Sequence, residues 1–269
     1  MGGQSLLKVD YLMRTVSVLI GIAACLAVAR ASTPEELVAC PVSPNLRGHE
    51  NIEWSIGYAF HLTDQNKDLP RVLLVGDSIC NGYQGEVQKR LEGKMNVSYW
   101  ASSYCVTSPG YLKLLDFYLS EARYDVIHFN NGCHSFDTSD ADWEKGLRAA
   151  LQLIRLRQPQ AKLIWGMTTP NRNEARNLRV KALNTLAARV IDEFDGIAVD
   201  DLYAQMDSLD RKTQWRDDFH FVQSAISVQA DVVSKICLEC SWDSAGTDPA
   251  KRLKTQGLTR FVGFAAGGL

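Results

Sequence analysis

Short apolar runs alternate along this chain with segments whose apolar residues recur every three or four positions. Arg71-Val72-Leu73-Leu74-Val75, closed by Gly76, is one such run; Val97–Trp100, Asp125–Asn130, Lys162–Thr169 and Gly196–Asp200 are four more. Apolar runs of this length between turn-forming residues read as buried strands. Between them lie helical spacings: Val87 and Leu91 within 84–92, then Leu112, Leu115, Phe117 and Leu119 after Pro109-Gly110. Trp143, Leu147, Ala150, Leu151 and Ile154 form a third, Leu183, Leu186, Val190 and Ile191 within Leu178–Phe194 a fourth, and residues 224–238 a fifth. Strands alternating with helices predict an α/β domain whose parallel sheet is covered on both faces. The pattern predicts a five-stranded parallel sheet in one domain over 69–240. Residues 32–68, with Pro34, Pro41 and Pro44, read as irregular, and 241–269 as a weakly ordered polar tail.

The first apolar run has a different meaning. Lys8 and Arg14 precede Val16–Val28, and Ala29-Arg30-Ala31 follows. A basic flank, a short apolar stretch and an A-x-A sequence predict a signal peptide cleaved after Ala31. The run is short for a spanning helix, which needs roughly 20 apolar residues, so an uncleaved anchor is the lesser expectation. Ile22-Ala23-Ala24-Cys25 also resembles a lipoprotein signal, but the apolar run continues past Cys25. The chain is therefore expected to be secreted or periplasmic, with no membrane span once the leader is removed. Its loss takes three basic residues and one acidic one, so a net charge of −2 over 269 residues becomes −4. Nothing in this balance suits a strongly basic nucleic-acid binder.

In open parallel sheets, ligands bind beyond the carboxyl ends of the strands, and polar residues there are the candidates for chemistry. The first strand ends in Gly76-Asp77-Ser78-Ile79. A serine at a strand-to-helix turn has an exposed hydroxyl and a backbone N–H at the helix N-terminus, which suits a nucleophile and one oxyanion donor; a capping serine is the plainer alternative. Such a nucleophile needs a base and an orienting group. Asp217-Asp218-Phe219-His220 supplies both, because a carboxylate three residues before a histidine can reach the ring Nδ1 and leave Nε2 for the serine. Spacing does not separate Asp217 from Asp218. Asn130-Asn131-Gly132-Cys133-His134-Ser135 and Ser102-Ser103-Tyr104-Cys105-Val106-Thr107 end the third and second strands and offer oxyanion donors, or are simply turns and polar loops. Trp215, beside the histidine segment, either lines a pocket or packs inside.

Gly76-Asp77-Ser78 with Gly82-Tyr83 downstream, and Asp217-x-x-His220 near the end of the domain, resemble the SGNH (GDSL-type) hydrolases over roughly residues 70–236. The resemblance implies a flavodoxin-like three-layer α/β/α sandwich and ester hydrolysis without a metal or other cofactor. It implies Ser78 as nucleophile, His220 as base and Asp217 as the partner of the base. The middle blocks depart from the family pattern. Cys105 stands where the family places a glycine whose N–H feeds the oxyanion hole, and Gly132-Cys133-His134-Ser135 replaces Gly-x-Asn-Asp. The implied oxyanion donors are the N–H groups of Ser78 and Cys105 together with His134 or Asn130. The implied substrate is a small ester or an acylated glycan, with acetyl groups on carbohydrate the leading expectation. A lipase or lysophospholipase, or a catalytically silent binding domain of the same fold, are the alternatives.

Of seven cysteines, Cys25 lies in the leader and six remain. In an oxidising compartment they are free to pair. Cys237-x-x-Cys240 sits at a helix end, away from the helix N-terminus a redox pair needs, and a structural disulfide is expected there instead, with Cys40 as one candidate partner. Cys80, Cys105 and Cys133 fall on loops facing the site, where an oxidised pair would brace it. The cysteines and His134 lack recognisable zinc-ligand spacing. Gly76–Gly82 is not a dinucleotide-binding glycine motif.

Overall fold

The computed structural model describes residues 32–39, 53–59, 68–108 and 110–243. The leader, Cys25, Cys40 and the tail beyond 243 lie outside the described residues. The strands are β1 (Ser55–Tyr58), β2 (Arg71–Gly76), β3 (Asn96–Ser102), β4 (Val126–Phe129), β5 (Lys162–Gly166) and β6 (Ile197–Asp200). The helices are α1 (Pro34–Ala39), α2 (Ser78–Leu91), α3 (Tyr111–Glu121), α4 (Asp140–Arg157), α5 (Glu174–Ile191), α6 (Leu202–Asp207) and α7 (Gln223–Asp243).

The sheet has the order β1-β3-β2-β4-β5-β6, and every pairing is parallel except β1 with β3. The sixth strand corrects the five-strand expectation. Ser55-Ile56-Gly57-Tyr58 is too short and mixed to announce itself, and becomes a strand by pairing with Ser102 to Tyr99 along the open edge of β3. It lies in the segment read as irregular, as does α1. The last helix also runs past the expected boundary, to Asp243.

Alternate residues of one strand feed two cores, as the two-residue strand period requires. Leu73 and Val75 join Trp100, Ile127, Phe129 and the inner faces of α3, α4 and α5. Val72 and Leu74 join Val126, Ile164 and the inner faces of α2, α6 and α7. The result is a three-layer α/β/α sandwich. From β2 the chain passes first to β3 on one side and then to β4 on the other. The carboxyl ends of β2 and β4 therefore form the switch point where open sheets bind ligands, and Ser78 and the 130–135 loop follow those two strands.

Candidate active site

Ser78 is the first residue of α2. Asp77 caps that helix, its Oδ1 accepting from the N–H of Ile79 at 2.9 Å, so the aspartate of Gly-Asp-Ser holds the turn. The N–H groups of a helix's first turn lack intrahelical partners, which leaves that of Ser78 at the helix's positive end. Arg90, near the other end of α2, bonds Asp231 at 2.5 Å and Ser227 Oγ at 2.6 Å. This ties the serine's helix to α7.

His220 comes from a tight loop before α7. A bridge between Trp215 and Phe221, with Arg216 N–H donating to His220 C=O at 2.8 Å, closes the loop. Asp217 Oδ1 accepts from the N–H groups of Phe219 and His220, both at 2.8 Å. Its Oδ2 lies 2.8 Å from His220 Nδ1. A carboxylate only accepts, so Nδ1 carries the proton and Nε2 presents its lone pair. Nε2 lies 2.9 Å from Ser78 Oγ, within hydrogen-bond reach. Burial works to raise the Asp217 carboxyl, but the two backbone N–H groups and the His220 ring outweigh it and bring it down to about 2. Asp218 turns the other way, to Arg176 at 3.2 Å and Arg172 at 3.5 Å. The structure thus brings Ser78, His220 and Asp217 into one line that can move a proton off the serine hydroxyl.

The expected oxyanion donors are not brought together in the same way. The loop after β3 turns back on itself, Ser108 N–H donating to Cys105 C=O at 2.8 Å, and Ser108 Oγ accepts the Cys105 N–H at 3.1 Å. Cys105 is fully buried, with its Sγ against Ser135 Oγ and Thr107 Oγ1. That N–H is therefore occupied by a local turn. The Asn130 amide donates to Gly166 C=O at 2.7 Å and Thr168 Oγ1 at 3.2 Å, so it fastens β4 to β5. In this structure both groups are thus engaged within the protein. Asn131 joins the two loops, its Oδ1 accepting from Val106 N–H and its Nδ2 donating to Tyr104 C=O. Gly132 is required beside it, because a Cβ there would run into the Thr168 side chain. His134 meets Trp54 edge-on, with ring centroids 6.3 Å apart.

A cleft of about 310 Å³ opens beside Ser78 and His220, walled by Ile79, Phe221, Ile226, Arg216 and Gln229 among others. Arg216 and Gln229 were not singled out from the sequence. Arg216 had one available signal, its place next to Asp217; Gln229 had only its polarity on an apolar helix. Trp215 is buried against Phe221, its Nε1–H directed at Pro170 C=O, which is the packed alternative. Cys80, Cys105, Cys133 and Cys237 are free thiols, which corrects both the braced-loop expectation and a bridge between Cys237 and Cys240. Among the described residues, no group of three His, Cys, Asp or Glu is placed to hold a metal. No helix among them is long and apolar enough to cross a membrane.

This fold has counterparts among solved structures. A carbohydrate esterase family 3 protein from Talaromyces cellulolyticus superposes with a TM-score of 0.55 at 13% identity, covering 65% of this chain and 99% of that one. A member of the lipolytic protein G-D-S-L family from Veillonella parvula gives 0.52 at 16% identity, over 62% and 97%. A lipase/acylhydrolase from Enterococcus faecalis gives 0.51 at 18% identity, over 64% and 96%. The chain has the SGNH-hydrolase fold. No protein-family model and no curated protein matches the sequence itself. The likeness lies in the fold, and the sheet, the switch point and the three layers of this SGNH fold are those already described.

Proposed function

We propose that this chain is an exported serine esterase that removes short acyl groups, acetyl foremost, from carbohydrate. The observation that carries the reading is the 2.9 Å approach of His220 Nε2 to Ser78 Oγ, with Asp217 2.8 Å behind the ring. In the first step Ser78 Oγ attacks the ester carbonyl carbon and its proton passes to His220 Nε2. The imidazolium returns that proton to the departing alcohol, leaving an acyl-serine. In the second step water attacks the acyl carbon, His220 takes its proton, and the acid leaves as Ser78 Oγ is reprotonated. Asp217 holds the ring in the required tautomer and stabilises the imidazolium. The Ser78 N–H, at the positive end of α2, supports the developing oxyanion, and His134 is the side-chain donor we retain.

A cleft of about 310 Å³ is at the small end for ligand sites, which supports a short acyl group over a long lipid chain. Carbohydrate as the alcohol rests on the carbohydrate esterase among the fold's counterparts. Export rests on the basic flank, apolar run and Ala29-Arg30-Ala31 sequence of the leader. The test is turnover of p-nitrophenyl acetate by the chain and by His220→Ala. Loss of turnover in the variant is expected, and full activity would remove the histidine from the mechanism.

A further inference from the structure

Apart from His220, Arg216 is the one titratable side chain among the described residues lining the cleft beside Ser78. Its side chain is 68% exposed, and its nearest carboxylate contact is a 3.8 Å approach of Nε to Asp217 Oδ2. That oxygen already faces the His220 ring. The neighbouring arginines differ. Arg172 and Arg176 share Asp218, and Arg211 is matched by Asp207 and Glu174. The flanking cations thus meet acids of the protein through their terminal nitrogens, whereas Arg216 meets its acid only through Nε and lines the cleft.

The cleft wall carries a second unmet group. Gln229, on α7, is 1% exposed, and neither its Nε2 nor its Oε1 has a hydrogen-bond partner among the described residues. Buried amides are rarely left so, because the desolvation is not repaid, and such a group calls for an explanation such as a water or ligand. An occupant that brings hydroxyls, or water held by hydroxyls, to this wall supplies donor and acceptor together. An aliphatic chain supplies neither.

Resting on the esterase reading above, we propose that the substrate is an ester of an acidic sugar, and that Arg216 selects it by binding the sugar carboxylate. A guanidinium pairs with a carboxylate through two parallel N–H···O bonds, so the selection is geometric as well as electrostatic. The cleft volume of about 310 Å³ fits one sugar ring better than a lipid, which favours a sugar carboxylate over the phosphate of a lysophospholipid as the anion.

The experiment compares acetylated glucuronate with acetylated glucose, a pair that differs in one carboxylate, using the mature chain, Arg216→Gln and Arg216→Lys. The chain should favour the uronate in kcat/KM, and added salt should narrow the preference. The ratio should fall about 10- to 100-fold in Arg216→Gln, mainly through KM, the scale of a hydrogen bond to a charged group. Arg216→Lys should keep part of it. A variant that merely disturbed Asp217 would slow both substrates alike and leave the ratio unchanged, which would overturn the assignment. Equal turnover of the two sugars by the unsubstituted chain, or preference for lysophosphatidate, would also overturn it while the esterase reading stood. No turnover of either sugar or of p-nitrophenyl acetate would overturn both.

Discussion

His220 Nε2 lies 2.9 Å from Ser78 Oγ although 142 residues separate them in sequence. Two constraints set that distance. Asp77 fixes where α2 begins, and the Trp215–Phe221 bridge fixes where the histidine loop turns. Neither constraint belongs to the Ser78–His220–Asp217 line itself, so each can be perturbed without removing one of its members.

The two adjacent aspartates should behave differently. Asp217→Asn keeps an oxygen for the N–H groups of Phe219 and His220, but places an N–H donor against His220 Nδ1. The ring must then hold its proton on Nε2, facing Ser78, where it cannot act as a base. A fall in kcat of about 10³- to 10⁴-fold is expected, the scale of a wrong histidine tautomer. Asp218→Asn loses only partly exposed pairs with Arg172 and Arg176, and should stay within about threefold. Steady-state kinetics on one ester checks both, and similar losses in the two variants would contradict the assignment.

Acid stability carries a related signature. The Asp217 carboxyl titrates at about 2 in the fold against an ordinary 3.8. Between these values the unfolded chain binds the extra proton, so stability falls with falling pH there. The contribution of Asp217 is complete above about pH 4 and lost as pH drops through about 2. The difference in urea midpoint between the chain and Asp217→Asn should therefore shrink as pH falls from about 4 and vanish near 2. A difference that faded between pH 5 and 7 would contradict this origin.

The buried thiols should be inert in the folded protein. Burial pushes the Cys80 thiol up to about 12, so at pH 8 about one molecule in 10⁴ carries the thiolate that reacts. Cys105 and Cys237 are likewise buried. Iodoacetamide at pH 8 should leave Cys80, Cys105 and Cys237 unmodified in the native state, by fragment-ion assignment of each cysteine, and label them in urea. Labelling of native Cys80, or a mass shift on reduction of its peptide, would contradict the free and buried thiol.

The Ser78–His220–Asp217 line was legible because its parts are local. Gly-Asp-Ser follows a strand, and Asp-x-x-His closes on itself within one turn. Separating Asp217 from Asp218 was not possible from spacing, because it depends on Arg172 and Arg176, which lie on the loop and helix after β5. The surroundings of the expected donors were hidden for a similar reason. Whether the Cys105 N–H is available depends on Ser108 turning back beneath it, and the Asn130 amide is claimed by Gly166 and Thr168 across the sheet. Strand order was also hidden. His128 on β4 and Asp200 on β6 meet at 2.9 Å across β5, where a Cβ on Gly166 would strike the histidine ring. No local pattern announces such a pair. β1 was missed because an edge strand takes its identity from its neighbour, and Ser55–Tyr58 carries little apolar signal of its own.

The central claim is that Ser78 is an activated nucleophile. A fluorophosphonate probe tests it directly, since it forms a stable adduct with such a serine. Intact-mass and peptide analysis of the mature chain should show one adduct, on the peptide containing Ser78, with loss of p-nitrophenyl acetate turnover. Ser78→Ala should show neither adduct nor turnover. Equal labelling and equal turnover in the two proteins would contradict the account.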